Sequence, residues 1–501
     1  MKHTADLSVA VLFVLVAVTA GTAAAEPGVV DGYEPDDEFD FDRPLEGDEL
    51  EAVVSRTMAR VEVIRNRDFE ERPTVEIVER EDVPGAGGEG VNRTAQGDWN
   101  DVVWEALLIV GEDEYANDVI ADTVGGATAG FYDTGGGGDG NGTANKTVSL
   151  VGGVNEPTLA HELVHVMQDQ QYNLSAERFR PPVQDEQLAS QGIVEGEAEY
   201  IRFVYEERCA AEWECYERTS TVGAGGGGGG GFEGNVGLLM TLIQPYSDGP
   251  EYVHRLREQG GWEAVEEKYE DVPTASSEII HAEDRDGAEV SFENEATDGW
   301  SLYEDSGRDG YDVAGEASIF VTFWYQSAPD PVGYGLGVID TSGFFGGRGE
   351  YARYDYRSEV SMGWRGDRIY PYHRETEDGN ETGFVWKSVW ETEEDAATFA
   401  DAYLTVLDGQ GAERIDGATR VVEGEFRGAY RVSREGNNVT VVRAPTLEGL
   451  NELRPSSSEA ERPTGEPIDA RPVPEATPGF GFVVALVALF SVVGLRLRFR
   501  T

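Results

Sequence analysis

Apolar positions along the chain follow helical spacing in some stretches and alternate with polar positions in others. A spacing of three to four residues, as in residues 49–64 and 187–209, predicts helices that bury one face. Short runs rich in β-branched and aromatic residues predict strands, and three of them precede residue 155. These runs are TVEIVER at 74–80, ATAGFYD at 127–133 and KTVSLVG at 146–152. Past residue 300 helix and strand patterns are mixed, so the sequence predicts an α+β fold.

Acidic, glycine-rich and proline-rich segments divide the chain into regions. An acidic stretch without periodicity precedes the first helical pattern, which indicates a solvated leader. A Pro/Ser/Glu-rich spacer separates the last periodic segment from an apolar end. Glycine runs at 85–90 and 225–231 predict loops. The predicted regions are 1–25, 26–48, 49–299, 300–453, 454–477 and 478–501.

Both ends of the chain carry apolar runs that are typical of targeting segments. The run from Leu7 to Ala20 follows a lysine and leads to small residues, which predicts a secretory signal peptide cut near Ala25. The run from Phe480 to Leu495 is followed by arginines, which mark the cytoplasmic side of a membrane. This run is short for a membrane span, which needs about 17–25 residues.

Pro478-Gly479-Phe480, just before that run, resembles the C-terminal sorting signal of haloarchaeal surface proteins. In that family a membrane enzyme removes the tail and attaches a lipid. The resemblance therefore implies a sorting enzyme as a partner and membrane anchoring through the C-terminus. A plain anchor helix is the alternative, and either arrangement places most of the chain outside the cell. Six Asn-x-Ser/Thr glycosylation sequons support this placement: Asn92, Asn141, Asn145, Asn173, Asn380 and Asn438.

The composition is strongly acidic and limits the possible partners. The chain has 39 Lys+Arg against 96 Asp+Glu, a net charge of −57. Phosphates would be repelled, which excludes nucleic-acid binding. Hydrophobic residues still make up 40% of the chain, so it is a folded protein rather than an acidic disordered one. Such an acid-covered surface is typical of halophilic proteins in molar salt, where the Debye length is about 3 Å.

Cys209 and Cys215, the two cysteines of the chain, are six positions apart. Outside the cell this spacing favours a small disulfide loop. A redox or metal-binding role is the less favoured alternative, because the chain has no further cysteine.

The stretch PTLAHELVHVMQDQQYNL at 157–174 contains two of the six histidines. At 100° per residue, His161 and His165 fall within about 40° of each other on one helix face. Glu162 projects beside the pair, where its carboxylate can reach a water on a metal without displacing a ligand. This His-Glu-x-x-His spacing is typical of zinc hydrolases, although it also arises by chance in ordinary helices.

A catalytic zinc site needs a third ligand, and GIVEGEAEY supplies a candidate in Glu195. The apolar neighbours of Glu195 indicate a buried helix, where an unpaired carboxylate is costly and a metal would resolve the cost. Glu199, one turn later, is expected to hold the outer nitrogen of a ligand histidine. Glu197 is the competing ligand, and a solvated helix face is the non-functional alternative.

The order of two strands, ATAGFYD and TVSLVG, and two helices, AHELVHVMQDQQYNL and GIVEGEAEY, resembles the gluzincin-type zincin metallopeptidases. It resembles most closely the surface-anchored zincin-like proteins of haloarchaea. The resemblance covers roughly residues 49–450, and the glycine run at 225–231 departs from a compact zincin. It implies a zincin-like α+β fold with an additional C-terminal α+β region. It also implies a Zn²⁺ cofactor and a peptide or protein substrate.

The predicted reaction is peptide hydrolysis by zinc-activated water, with Glu162 as the general base. The oxyanion that forms needs a second electrophile besides zinc. Candidates are His281 in SSEIIHAED and Tyr246 in QPYSDG, although a lone histidine is more often structural. We expect the strand TVSLVG to accept a peptide substrate as an extra strand.

A non-catalytic cell-surface module that binds a partner is the rival prediction. In that protein the histidines would bind zinc structurally or not at all. An intact Glu162 argues against this rival, because a structural zinc site has no use for a base. Residues 300–453, including GWRGDR at 363–368, contain no recognisable catalytic constellation.

Overall fold

The computed structural model describes residues 28–41, 44–83, 93–134, 146–216, 234–377, 379–458 and 490–493. The signal peptide, both glycine runs, the sequons at Asn92, Asn141 and Asn145, and most of the spacer and C-terminal tail lie outside these residues. Helices and two β-sheets make up the described residues, and this confirms the α+β class.

The α-helices among these residues are α1 (Asp48–Arg65), α2 (Ala95–Ala106), α3 (Ala116–Ala127), α4 (Glu156–Tyr172), α5 (Gln184–Ala211), α6 (Val236–Leu242), α7 (Gln244–Glu270), α8 (Ser276–His281), α9 (Gly315–Ser327), α10 (Glu393–Gly409) and α11 (Leu447–Leu453). The strands are β1 (Thr74–Val78), β2 (Thr128–Asp133), β3 (Thr147–Val151), β4 (Ser301–Leu302), β5 (Trp364–Thr376), β6 (Gly379–Trp390), β7 (Glu413–Arg414), β8 (Thr419–Val422), β9 (Gly428–Glu435), β10 (Asn438–Ala444) and β11 (Phe490–Val493).

The smaller sheet has the strand order β1-β3-β2-β11 and packs against α4. β3 runs parallel to β1 and antiparallel to β2, so both of its edges are paired. The expectation that the TVSLVG strand accepts a peptide is therefore wrong. β2 pairs with β3 on one edge, and β11 from the C-terminal apolar run pairs in parallel with its other edge, so β1 and β11 are the edge strands.

The larger sheet is antiparallel, with the order β4-β5-β6-β10-β9-β8-β7. One hydrophobic cluster joins it to α2, α9 and α10 through buried aromatic residues such as Trp104, Trp324 and Trp386. A second cluster joins α1, α4, α5 and α7, and includes Tyr351. Both clusters cross the boundary that the sequence placed between residues 299 and 300.

α4 begins and ends with local signals that the sequence contains. The Asn155 side chain accepts a hydrogen bond from the Thr158 amide at 3.0 Å, and Pro157 lies in the first turn. Asn173, in the left-handed region at φ 54°, ends the helix. Both faces of α4 are buried between the sheet and α5.

α5 and α7 approach closely because both carry glycine at the crossing. A Cβ on Gly196 would lie 2.6 Å from the carbonyl oxygen of Gly249. A Cβ on Gly249 would in turn lie 2.6 Å from the carbonyl oxygen of Gly192. Small residues at this crossing bring the first turn of α7 beside the part of α5 that carries Glu195.

The described part of the acidic leader, residues 28–41, has exposed positions alternating with half-buried ones, so it is solvated on one side and packed on the other. Arg60 donates to the Pro35 carbonyl at 2.8 Å, and Arg56 donates to the Asp37 carbonyl at 2.8 Å. Both arginines also pair with the buried Glu156 at the start of α4. Arg202, Arg420 and Arg443 are likewise among the largest fully buried side chains of the described residues.

Within the described residues, no helix combines the length and the apolar character that crossing a membrane requires.

Candidate metal centre

Three predicted ligands converge between α4 and α5. The Nε2 atoms of His161 and His165 are 3.0 Å apart. The Glu195 Oε2 atom lies 3.3 Å from the first of these nitrogens and 3.2 Å from the second. All three side chains are buried. Among the described residues, this is the group of His, Cys, Asp and Glu side chains placed to hold a metal ion.

The donor set fits a zinc ion. Two imidazole nitrogens and one carboxylate oxygen are ligands that Zn²⁺ prefers, at about 2.0–2.2 Å in a tetrahedral arrangement. Tetrahedral ligands at that distance are about 3.3 Å from one another, which agrees with the spacing of the three atoms. When both histidines carry their proton on Nδ1, the two Nε2 atoms and the Glu195 oxygen are all hydrogen-bond acceptors. A cation between them satisfies all three.

The charges around the two histidines also favour a bound cation. Burial raises the pKa of Glu195, but the two imidazoles outweigh it and the pKa is lowered overall. Burial lowers the pKa of His161, but Glu195 and Glu199 outweigh it and raise that pKa to about 9. The carboxylates therefore favour positive charge where the ligand atoms meet.

The outer nitrogen of His161 faces Glu199, as predicted for a supporting carboxylate. Its Nδ1 atom is 3.1 Å from Glu199 Oε1. Arg202 donates to both Glu199 oxygens, at 2.9 and 2.7 Å, and Arg353 approaches Oε2 at 3.3 Å. Burial raises the pKa of Glu199, but Arg202, His161 and Arg353 lower it strongly, so its carboxylate is ionised.

The outer nitrogen of His165 faces Gln168, a residue that the sequence analysis did not identify. The Nδ1 atom lies 2.8 Å from Gln168 Oε1. The Gln168 amide nitrogen lies 2.9 Å from the Val194 carbonyl and 2.7 Å from the Tyr269 hydroxyl. The orientation of the amide is therefore fixed by α5 and α7, and its oxygen is directed at the histidine.

Glu197, the competing ligand, belongs to a different network. Its carboxylate bonds to Arg65 and to the Tyr269 hydroxyl, and lies 3.1 Å from the Gln168 amide nitrogen. The structure therefore groups Glu195, and not Glu197, with the histidines.

Glu162 lies under β2 of the smaller sheet. A Cβ on Gly130 of β2 would lie 2.8 Å from Glu162 Oε1. Only a glycine leaves room for the carboxylate at this point of the strand. The base candidate and the strand are therefore in direct contact.

Tyr246 lies beside the three candidate ligands. Its ring is parallel to that of His161, with centroids 6.3 Å apart and an angle of 10°. Burial of the hydroxyl and its hydrogen bond to Glu195 raise the pKa of Tyr246 well above its ordinary value. The hydroxyl therefore keeps its proton and is available as a hydrogen-bond donor.

His281 lies in another network, which corrects its predicted role. Its Nε2 atom is 2.9 Å from Glu316 Oε1 on α9, and Arg285 donates to the other oxygen of that carboxylate at 2.9 Å. This histidine ends α8 and ties it to α9. We therefore leave it out of the metal centre.

The remaining sequence features lie elsewhere. Cys209 and Cys215 form a disulfide with Cα atoms 5.6 Å apart. Asn173, Asn380 and Asn438 are exposed, as glycosylation acceptors need to be. The GWRGDR segment lines a cavity of about 280 Å³ together with Asp185 and Arg308. That cavity includes none of the metal-centre residues.

Of the two residues that the sequence analysis missed, Gln168 could have been predicted from the sequence and Arg353 could not. Gln168 follows His165 by three positions, so helical spacing already places it beside that histidine. Arg353 follows Glu199 by 154 positions, and no local pattern connects them.

Comparisons with known proteins give two matches, and neither covers His161, His165 or Glu195. A family model described as a domain of unknown function (DUF8575) matches residues 301–454. A PGF-CTERM motif matches residues 477–498. No curated protein and no solved structure matches the chain. The motif confirms the predicted sorting signal in place of a plain anchor helix, and identifies an extracellular, lipid-anchored archaeal cell-surface protein.

Proposed function

We propose that this protein is a surface-anchored zinc metallopeptidase with a zincin-like fold. The observation that carries the proposal is the convergence of His161, His165 and Glu195 beside a fourth residue, Glu162, that is not a ligand. A binding site for zinc alone needs the first three. Hydrolysis needs in addition a carboxylate that can reach a metal-bound water, and Glu162 directly follows His161 and lies under β2.

Each side chain has a chemical role in this proposal. Zn²⁺ held by His161, His165 and Glu195 would supply a Lewis acid that polarises a peptide carbonyl and acidifies water. Glu162 accepts the proton of the attacking water and passes it to the leaving amine. Tyr246, a neutral donor, turns from Glu195 to the developing oxyanion and stabilises it. Glu199 and Gln168 fix the orientation of the ligand histidines.

β2 is the strand along which we expect an extended substrate to bind. Its contact with Glu162 at Gly130 would place the scissile bond beside the base. In the full chain β11 pairs with this strand, and its residues belong to the matched sorting motif. Removal of the tail by the sorting enzyme would leave the outer edge of β2 open to a peptide.

A non-catalytic zinc-binding module is the second candidate, and one observation favours it. His161, Glu162 and His165 have 0% exposed surface, as expected of a closed structural site. The two candidates differ in what they require of Glu162. A structural site tolerates loss of its carboxylate, whereas a peptidase does not.

The experiment compares the mature surface protein with its Glu162→Gln variant, in molar salt, on an unstructured protein substrate. We expect the variant to retain its zinc and to lose roughly 10²–10⁴ in rate, because the proton acceptor is gone. The exposed Glu177 provides a matched control, and Glu177→Gln should cleave like the wild type. A chelator should abolish cleavage. If the wild type cleaves nothing that Glu162→Gln leaves intact, the peptidase proposal fails and the binding module replaces it.

A further inference from the structure

Residues 349–354, here called the strap, reach the metal centre from the matched domain of unknown function. Within the strap, Arg353 Nη2 lies 3.3 Å from Glu199 Oε2. Its guanidinium also lies over the Phe203 ring, 4.8 Å from the centroid. A residue from the C-terminal part of the chain thus supports a residue that holds a ligand histidine.

The strap is fixed to α7 on both sides of Arg353. Glu251 Oε2 accepts hydrogen bonds from the amides of Glu350 and Tyr351, at 3.1 and 3.3 Å. On the other side, the Tyr354 amide donates to Ser247 Oγ at 2.9 Å. Ser247 is the neighbour of Tyr246, so the same turn of α7 carries the strap and the candidate oxyanion donor.

Backbone geometry shows how closely the strap fits. Gly349 has φ +92°, a conformation that favours glycine. A Cβ on Gly349 would lie 2.2 Å from the carboxyl carbon of Glu251. Tyr351 packs into the same hydrophobic cluster as α4 and α5. The position of Arg353 is therefore set by contacts on each side of it.

Two arginines, Arg202 and Arg353, form ion pairs with Glu199. Arg202 bonds to Glu199 and also to Glu206, whose side chain is 42% exposed. Arg353 has no carboxylate other than Glu199 within 4.0 Å, counting the residues that the structure describes. Glu199, with a side chain 2% exposed, is therefore held by two guanidinium groups, and removal of Arg353 leaves this buried carboxylate with one cationic partner fewer.

We propose that Arg353 is a positioning residue for the metal centre. It holds Glu199 so that His161 keeps Nδ1 towards Glu199 and Nε2 towards the other ligands. The domain of unknown function thereby completes the metal site through its strap. The inference rests on the zinc site of the proposed function, and does not depend on peptidase activity.

The test measures zinc affinity of the full protein by competition with a chromophoric chelator. Arg353→Gln should weaken binding about 10–100-fold, as loss of a supporting partner does. Arg353→Lys keeps the charge and should restore most of the affinity. Arg348→Gln is the matched control, because Arg348 pairs with Asp355 with its side chain 60% exposed, and its affinity should not change.

The absorption spectrum of the Co²⁺-loaded protein gives a second measurement. Arg353→Gln should alter it because His161 turns, whereas Arg348→Gln should not. Unfolding midpoints measured with excess chelator verify that each variant is folded. Equal zinc affinity in the wild type and Arg353→Gln, or equal weakness in Arg353→Lys and Arg353→Gln, would overturn the inference. A wild type that binds zinc without cleaving peptides refutes the peptidase alone, while one that binds no zinc refutes both.

Discussion

The Nδ1 atom of His165 lies 2.8 Å from the side-chain oxygen of Gln168, three positions further along α4. An amide oxygen accepts the Nδ1 proton and leaves the Nε2 lone pair directed at the metal position. His161 achieves the same orientation through the carboxylate of Glu199. The two candidate ligand histidines are thus held by a neutral partner and a charged one.

We predict that Gln168→Leu weakens zinc binding about 10–100-fold, because the Nδ1 atom loses its acceptor. Gln170 provides the control on the same helix. It accepts a hydrogen bond from the Glu70 amide at 2.8 Å and lies outside the metal centre. Gln170→Leu should leave zinc affinity unchanged. Equal losses in both variants, measured by chelator competition, would contradict the role of Gln168.

Two neighbouring glutamates should respond in opposite ways to neutralisation. Glu195→Gln removes the ligand carboxylate and should abolish stoichiometric zinc. Glu197→Gln should retain zinc, but should cost up to about 3–5 kcal/mol of unfolding free energy, because the buried Arg65 then keeps only the partly exposed Glu266 as a carboxylate partner. Metal analysis and denaturant unfolding measure the two effects. Loss of zinc in Glu197→Gln alone would make Glu197 the ligand.

Gly130→Ala should impair catalysis and spare the metal. The added Cβ would lie 2.8 Å from Glu162 Oε1, so the carboxylate must move. A displacement of about 1 Å at a reacting group costs on the order of 10²-fold in rate. We expect a fall in kcat of at least about tenfold with normal zinc content. Ala129→Ser, at the adjacent position of β2, is the control, and an equal loss in it would contradict a specific role for Gly130.

Asp185 should give the protein a stability that decreases as pH rises. Burial raises the pKa of Asp185 to about 8 in the folded state, against about 4 in an unfolded chain. Its contribution is complete below about pH 4 and is lost as pH rises through about 8. Asp185→Asn does not ionise and can still accept from the Ser276 amide, which bonds to Oδ1 at 2.9 Å.

Unfolding free energies of the wild type and Asp185→Asn measure this effect at a series of pH values in molar salt. Each pH unit within the window should cost the wild type up to about 1.4 kcal/mol relative to the variant. Parallel curves between pH 5 and 8 would show that Asp185 is ionised in the folded protein.

The spacing of residues along single helices was enough to predict the part of the site that lies on α4 and α5. His161, Glu162 and His165 follow from one turn of α4, and the apolar neighbours of Glu195 indicated its burial. Glu199 also lies where that spacing put it. Gln168 was within reach of the same reasoning and was missed, because an amide attracts less attention than a charge.

Tertiary contacts account for what sequence could not supply. The role of His281 depends on Glu316, which lies 35 positions away in the sequence. The residues next to His281 give no sign of this partner. The TVSLVG strand has no free edge because β1, from a distant part of the chain, pairs with one side of it and β2 pairs with the other. Arg353 reaches Glu199 only because the strap is held against α7. None of these relationships leaves a periodic pattern in the chain.

The buried arginines have a consequence for how this protein meets its surroundings. Arg56, Arg60, Arg202 and Arg443 pair with buried acids of the interior, and the whole chain has only 39 Lys and Arg residues. Cations placed inside are unavailable to the exterior, so the solvent-facing charge is more one-sidedly negative than the composition suggests. Dissolved salt must supply the counter-ions for that outer layer, whereas the interior pairs are shielded from it. Lowering the salt concentration would therefore first increase repulsion between the surface carboxylates. The ion pairs around the metal centre would be affected last.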